Sequence, residues 1–330
     1  MRRREFITLL GGAAATWPLV AHAQQGDKVQ RIGVLNSLAG TDPEGQAQNA
    51  ALRQRLDQLG WVDGRNVHID ERWGAGNVDS MKLFAQELVR LGPDVLVSAT
   101  TPATAALQQE THTIPIVFVN VADPIGAGFA ESIARPGGNI TGFGNVEASL
   151  GSKWIELLHD VVPRLARVAM LFNPQTAPYA KLFLDTSHSA AAALSIEPIE
   201  APVRSAREAE AIVTKLGGEA GSGLIVLPDT SMFIYRQAII LLAERYRLPT
   251  IYPYRFFVAD GGLMSYGIDL TDSYRGAATY ADRILHGAKP NELAIQLPTR
   301  FEMVINLKTA QTLGLEIPHH LLVMADGVIE

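Results

Sequence analysis

Short runs of consecutive apolar residues recur from Arg31 onward, each followed by a polar or Gly/Pro-containing loop and then by apolar residues at helical spacing. Arg31-Ile32-Gly33-Val34-Leu35-Asn36 is the first such run and predicts a strand. Leu52, Leu56 and Leu59 follow at the spacing of one helix face, and Gly60 stands where a helix can end in the left-handed conformation. Val67 and Ile69 alternate with His68 and Asp70, the pattern of a strand with one wetter face. Asp79 is placed to cap the next helix, whose Met81, Phe84, Leu88 and Leu91 recur at helical spacing up to Gly92-Pro93. The runs at 94–97 and 115–119 predict two more strands, with a short helix over 101–110 between them.

The pattern then restarts. A strand over 167–172 ends at Asn173-Pro174, and an alanine-rich helix covers 190–194. A strand over 223–227 ends at Pro228-Asp229, and a helix covers 233–246. Strands are expected at 249–252 and 262–266. Strands that are apolar on both faces and alternate with helices indicate parallel sheets covered on both sides. Two successive sets predict an α/β chain of two Rossmann-like lobes, and 330 residues are enough for two ordinary domains. A hinge is sought at Pro136-Gly137-Gly138-Asn139 or at Gly142-Phe143-Gly144. Phe256-Phe257 are read as core.

In open parallel sheets ligands bind beyond the carboxyl ends of the strands, so the residues after each apolar run are the candidates. In the first set these are Asn36-Ser37, then Ser98-Ala99-Thr100-Thr101, then the stretch from Asn120 to Asp123. In the second they are Asn173, Asp229-Thr230 and the stretch from Tyr252 to Tyr254, with Tyr266 and Asp269 near a return crossing. Hydroxyls and free backbone N–H groups at a helix start suit a carboxylate, Asp123 or Asp229 suits an ammonium group, and tyrosines suit an apolar side chain. The competing reading of each Ser, Thr or Asp is a cap on the next helix.

Composition narrows the field. The chain has no cysteine, which removes disulfides, a thiol nucleophile and thiolate metal sites. There is no Gly-x-Ser-x-Gly elbow, no phosphate-binding Gly-x-x-x-x-Gly-Lys loop and no His-Glu-x-x-His, so no enzyme, cofactor or metal site is expected. Arg2-Arg3-Arg4, the apolar run from Phe6 to Val20 and Ala21-His22-Ala23 read as an export signal over residues 1–23, cleaved after Ala23. Arg3-Arg4-Glu5-Phe6 also fits a twin-arginine address, with an ordinary secretory signal as the alternative. Removing Arg2, Arg3, Arg4 and Glu5 takes the net charge from −6 to −8, which favours solubility and disfavours nucleic acid as a partner.

Several stretches in order then resemble one family. They are Leu59-Gly60-Trp61-Val62-Asp63-Gly64-Arg65-Asn66-Val67, Thr113-Ile114-Pro115-Ile116-Val117-Phe118, Ala134-Arg135-Pro136-Gly137-Gly138-Asn139-Ile140-Thr141-Gly142, Gly261-Gly262-Leu263-Met264-Ser265-Tyr266-Gly267 and the ending Ala325-Asp326-Gly327-Val328-Ile329-Glu330. Together they resemble the exported substrate-binding proteins of ABC transporters of the tryptophan/tyrosine-uptake type, with the type I periplasmic-binding fold. The resemblance implies a ligand cleft between two lobes that close about a hinge, a small-molecule ligand such as an amino acid or related solute, and an inner-membrane ABC permease as partner. It implies a monomer in the periplasm, and ligand contacts at Ser98, Thr100, Thr101, Asp123 and Asp229. The expected division is 29–143 with about 268–296 as one lobe, and 144–267 with about 297–330 as the other. The loop Pro228-Asp229-Thr230 departs from the Pro-Thr-Asp-Asn of the tryptophan-binding members. A sensory ligand-binding module and a doubly wound periplasmic enzyme are the alternative functions.

Overall fold

Two separate sheets organise the chain. Strands β1 (Gln30–Asn36), β2 (Val67–Trp73), β3 (Val95–Ala99), β4 (Ile116–Val121) and β5 (Ile140–Gly144) form a parallel sheet in the order β2-β1-β3-β4-β5. Strands β6 (Arg167–Phe172), β7 (Glu197–Pro202), β8 (Ser222–Val226), β9 (Thr250–Tyr252), β10 (Met264–Gly267), β11 (Glu302–Asn306) and β12 (Gly327–Ile329) form a second, in the order β12-β11-β10-β9-β8-β6-β7. Only the β10–β11 pair in it is antiparallel. The structure, a computed structural model, describes residues 29–330 apart from Val146. The export signal read over 1–23 lies outside the described residues.

Helices cover both faces of each sheet. In the first lobe α1 (Pro43–Gln58) lies on one face, and α2 (Val78–Arg90) and α3 (Thr100–Glu110) lie on the other. The strand period of two feeds both layers: Ile32 and Val34 pack with Leu52 and Leu56, while Leu35 packs with Met81 and Leu88. Asn77, not Asp79, caps α2, accepting from Ser80 N at 2.9 Å. Asn77 holds the extended backbone a cap needs, whereas Asp79 already lies in the first helical turn.

The second sheet is covered by α4 (Leu150–Val161) and α5 (Ala180–Ala193) on one side. On the other lie α6 (Ala206–Gly217), α7 (Thr230–Arg245) and α8 (Arg255–Ala259). Phe256 and Phe257 are buried there, stacked at 4.7 Å. After β10 the chain goes back. Helix α9 (Leu270–Leu285) packs Tyr274, Ala277, Ala278 and Ala281 against Leu52 and Leu56 in the core of the first lobe. Its small residues let it come close to α1, and Asp282 accepts from Trp61 Nε1 at 2.9 Å. Helices α10 (Leu307–Leu313) and α11 (His319–Met324) return the chain to the second lobe.

Among the described residues three segments therefore pass between the lobes: the chain after Gly144, Ile268-Asp269, and 297–301. Two of them are tied together, since Gly144 N donates to Gln296 O at 2.8 Å and Gln296 N to Gly142 O at 2.9 Å. Pro136-Gly137-Gly138-Asn139 is a turn inside the first lobe, where Glu131 N donates to Pro136 O. It is glycine-rich because Gly137 has φ +88, not because it flexes between lobes. Among the described residues no helix is long and apolar enough to cross a membrane.

Candidate functional site

The strand tips of the two sheets meet. Asn36 ends β1, Ala99 ends β3 with Thr100 just after it, and Asn120 lies near the end of β4. All of these, with Ser37, line one narrow cavity between the lobes. Trp73 at the end of β2, Gln48 of α1 and Tyr274 of α9 complete the first-lobe wall, and Phe233 of α7 closes it from the second lobe. The space is about 280 Å³ with its open mouth included, and it leaves room for about one water at most. A larger solute enters only if the walls part.

Local backbone and hydrogen bonding shape this wall. Ser37 Oγ donates to Ala99 O at 2.5 Å and lies 2.6 Å from Thr100 Oγ1. Thr230 Oγ1, on α7, donates to Thr100 Oγ1 at 3.2 Å, a direct link between the lobes. Thr100 and Asn120 both hold left-handed backbone, φ +74 and φ +58. For a β-branched threonine this is strained, at a cost on the order of 1–3 kcal/mol, and such strain persists where surrounding contacts hold it, often at a binding site. Asn36 and Asn120 are 2% and 5% exposed, yet Asn36 Nδ2 and Asn120 Oδ1 have no hydrogen-bond partner among the described residues. Gly45 lets the indole of Trp73 come close to α1, since a Cβ there would stand 3.0 Å from its ring.

Facing them, Asp229 builds the second-lobe loop. It caps α7 by accepting from Ser231 N at 2.9 Å, and its other oxygen accepts from Asn173 N at 2.6 Å. Thr176 Oγ1 donates to it as well. Asn173 is equally engaged: Nδ2 donates to Ser231 Oγ at 2.9 Å and Oδ1 accepts from Gln175 N at 2.9 Å. Burial pushes the Asp229 carboxyl up to about 6 despite these donors. Asn173 and Asp229 thus hold a wall together; neither lines the cavity.

Further out, the lobes are joined by ions. Arg236 of α7 donates through Nη1 to Asp42 Oδ2 at 2.7 Å and through Nε to Asp260 Oδ2 at 2.8 Å. Asp42 belongs to the first lobe, where its other oxygen caps α1 through Glu44 N and Gly45 N. Leu38 of the first lobe packs into the apolar cluster around Phe233.

Of the residues chosen from the sequence, the structure brings Asn36, Ser37 and Thr100 into one cavity and sets the Asn173–Asp229 loop opposite. Ser98 lies behind them in the core, 2.8 Å from Thr104 Oγ1. Thr101 lines a neighbouring groove that Gln175 and Pro178 close from the second lobe. Asp123 accepts from Gly126 N at 2.7 Å within its own turn. Tyr252 is in the second-lobe core, stacked on Phe257 at 5.1 Å, because its strand is central and both of its faces are covered. Tyr266 stacks on Phe301 at 5.9 Å, away from the cavity. Asp269 caps α9 through Thr271 N at 2.9 Å, beside a groove along the crossing segments. Gln48, Trp73, Phe233 and Tyr274 were not chosen. Trp73 sits at a strand tip and could have been found by the same rule. The other three lie on helices, where nothing local marks them.

A family model described as ABC transporter substrate binding protein matches residues 40–329. A tyrosine-binding protein of Clostridioides difficile is 24% identical over 262 residues, 79% of this chain and 74% of that protein. A crystal structure of a conserved domain protein from Vibrio cholerae superposes with a TM-score of 0.85 at 27% identity, covering 91% of this chain and 100% of that one. A Streptococcus pneumoniae ABC domain in complex with L-Trp superposes with a TM-score of 0.84 at 25% identity, covering 91% and 99%.

Proposed function

We propose that this chain, which belongs to the family of ABC transporter substrate-binding proteins, is a periplasmic receptor that closes on an amino acid or a related small solute and hands it to an inner-membrane permease. Binding a solute for an ABC transporter is the family role; proteins of this kind usually work outside the cytoplasm. The finer parts are our reading. The signal occupies 1–23 and is cleaved after Ala23. The receptor acts as a monomer, binds no nucleic acid and does no covalent chemistry. One lobe is 29–143 with about 268–296 and the other is 144–267 with about 297–330, in keeping with α9 packing on α1. The ligand is held by Asn36, Ser37, Thr100 and Asn120, against the wall that Asn173 and Asp229 build.

The observation that carries this reading is the cavity between the lobes, walled on one side by first-sheet strand tips with unpartnered buried amides and strained backbone, and closed on the other by Phe233 of α7. A closing receptor needs such a place, because a ligand stabilises the shut form only through contacts it makes there and not in the open one. Two similar proteins, one a tyrosine-binding protein and the other in complex with L-Trp, make amino acids the first solutes to be tried.

The test is a thermal-shift screen of residues 24–330 against amino acids, purines and small carboxylates. A ligand at 100 times its Kd adds about 2.7 kcal/mol of stability, a clear rise in midpoint. Thr100→Ala should weaken any hit. A screen in which no small solute raises the midpoint would sink the proposal.

A further inference from the structure

We infer that the group seated deepest in the cleft is an uncharged planar one with an amide-type edge, which Asn36 and Asn120 read together. This rests on the solute-receptor reading and narrows its ligand to the related solutes, those carrying a lactam, imide or carboxamide on a flat ring.

The two asparagines form a matched pair. Each is more than nine-tenths buried, and the unpartnered atoms are a donor, Asn36 Nδ2, and an acceptor, Asn120 Oδ1. Both line the same cavity. Buried amide groups left unpaired are costly, so these two call for a guest that returns an acceptor to the first and a donor to the second. A C(=O)–N–H edge does both with one rigid group. The backbone of Asn120 is fixed in the left-handed region, φ +58, which aims the side chain at a set angle.

Charge separates this guest from a zwitterion. Among the described residues, no Asp, Glu, Lys, Arg or His lines the cavity. The carboxylates nearby in sequence or across the gap are committed: Glu44 to Gln48 Nε2 at 2.9 Å, Asp123 to its own turn, Asp229 to three donors. An ammonium group shut in here would have no counter-charge, and an unpaired buried charge is far costlier than an unpaired amide. A neutral ring meets neither difficulty. Trp73, Phe233 and Tyr274 line the same space and offer aromatic surface to such a ring.

The experiment measures binding of uracil, hypoxanthine and nicotinamide, beside L-Trp and L-Tyr, by thermal shift and calorimetry on residues 24–330. At least one of the neutral planar amides should bind, and Asn36→Ala and Asn120→Gly should each weaken it ten-fold or more. Glycine keeps the left-handed backbone at 120, and unchanged circular dichroism confirms that each variant is folded; Asn120→Asp is a second variant, expected to weaken the neutral ligand too. Binding of L-Trp or L-Tyr with none of the neutral amides would overturn the inference and leave the receptor intact. Unaltered affinity in both asparagine variants would overturn it as well, and no binding by any of the five would remove the inference and count against the receptor reading itself.

Discussion

Asp229 carries three donors and still holds its proton more tightly than a free carboxyl, because it is buried between α7 and the loop after β6. Its pKa is raised from 3.8 to about 6. A raised carboxyl pKa favours the folded state most at low pH, below about 4, and that contribution is lost as pH rises through about 6. The stability of the native chain measured against Asp229→Asn should therefore fall by on the order of 3 kcal/mol between pH 4 and pH 7. Urea unfolding of both proteins across that range checks it; a difference that stays flat would mean that Asp229 titrates as an exposed carboxyl does. The capping half of its role is legible in the sequence, since Pro228-Asp229-Thr230 follows an apolar run and precedes a helix. The bond to Asn173 is not, because it joins residues 56 apart in the chain.

Two helices of different lobes, α1 and α7, meet through one arginine. The side chains of Arg236 and Asp42 are 11% and 13% exposed, so this ion pair is screened less than a surface one. It exists only while the lobes touch, and so it favours the shut form. Breaking it should cost about 1–3 kcal/mol of closure, about a 5- to 150-fold loss in ligand affinity. Asp42→Ser is the cleaner variant, since serine still caps α1 while the ion pair is gone. Ligand affinity and X-ray scattering read the result: weaker binding and a larger mean radius of gyration are expected, and native values for both would dismiss the latch. Nothing in the sequence pairs residues 194 positions apart, yet most elements they sit on are visible there. Central strands such as β3 and β8 are buried on both faces and show as apolar runs. Edge strand β7, Glu-Pro-Ile-Glu-Ala-Pro, is covered on one side only and carries two prolines, so it shows no such run.

The split into two sheets is legible because the strand–loop–helix pattern restarts at Arg167, whereas the route between them is expected only from the family resemblance. The chain leaves the first sheet after the glycine cluster Gly142-Phe143-Gly144, one of the two hinge candidates in the sequence, but at Ile268-Asp269 and over 297–301 neither apolar runs nor glycine clusters announce a change of lobe. What the crossings permit is relative motion, and tryptophans are placed to report it. Trp154 is 1% exposed inside the second lobe, and Trp61 is tied to Asp282 on the side of α9. Among the described tryptophans Trp73 alone lies in the cleft, half-buried against Gly40 and Gly45 and lining the cavity that Phe233 closes. A ligand entering between the tips must change the surroundings of that indole, while the other two keep theirs. Saturating ligand should therefore shift the tryptophan emission of the native protein, and Trp73→Phe should abolish the shift while leaving the thermal midpoint of the free protein within a few degrees. A ligand-induced shift that survives Trp73→Phe would place the motion, or the ligand, elsewhere than between the two sets of strand tips.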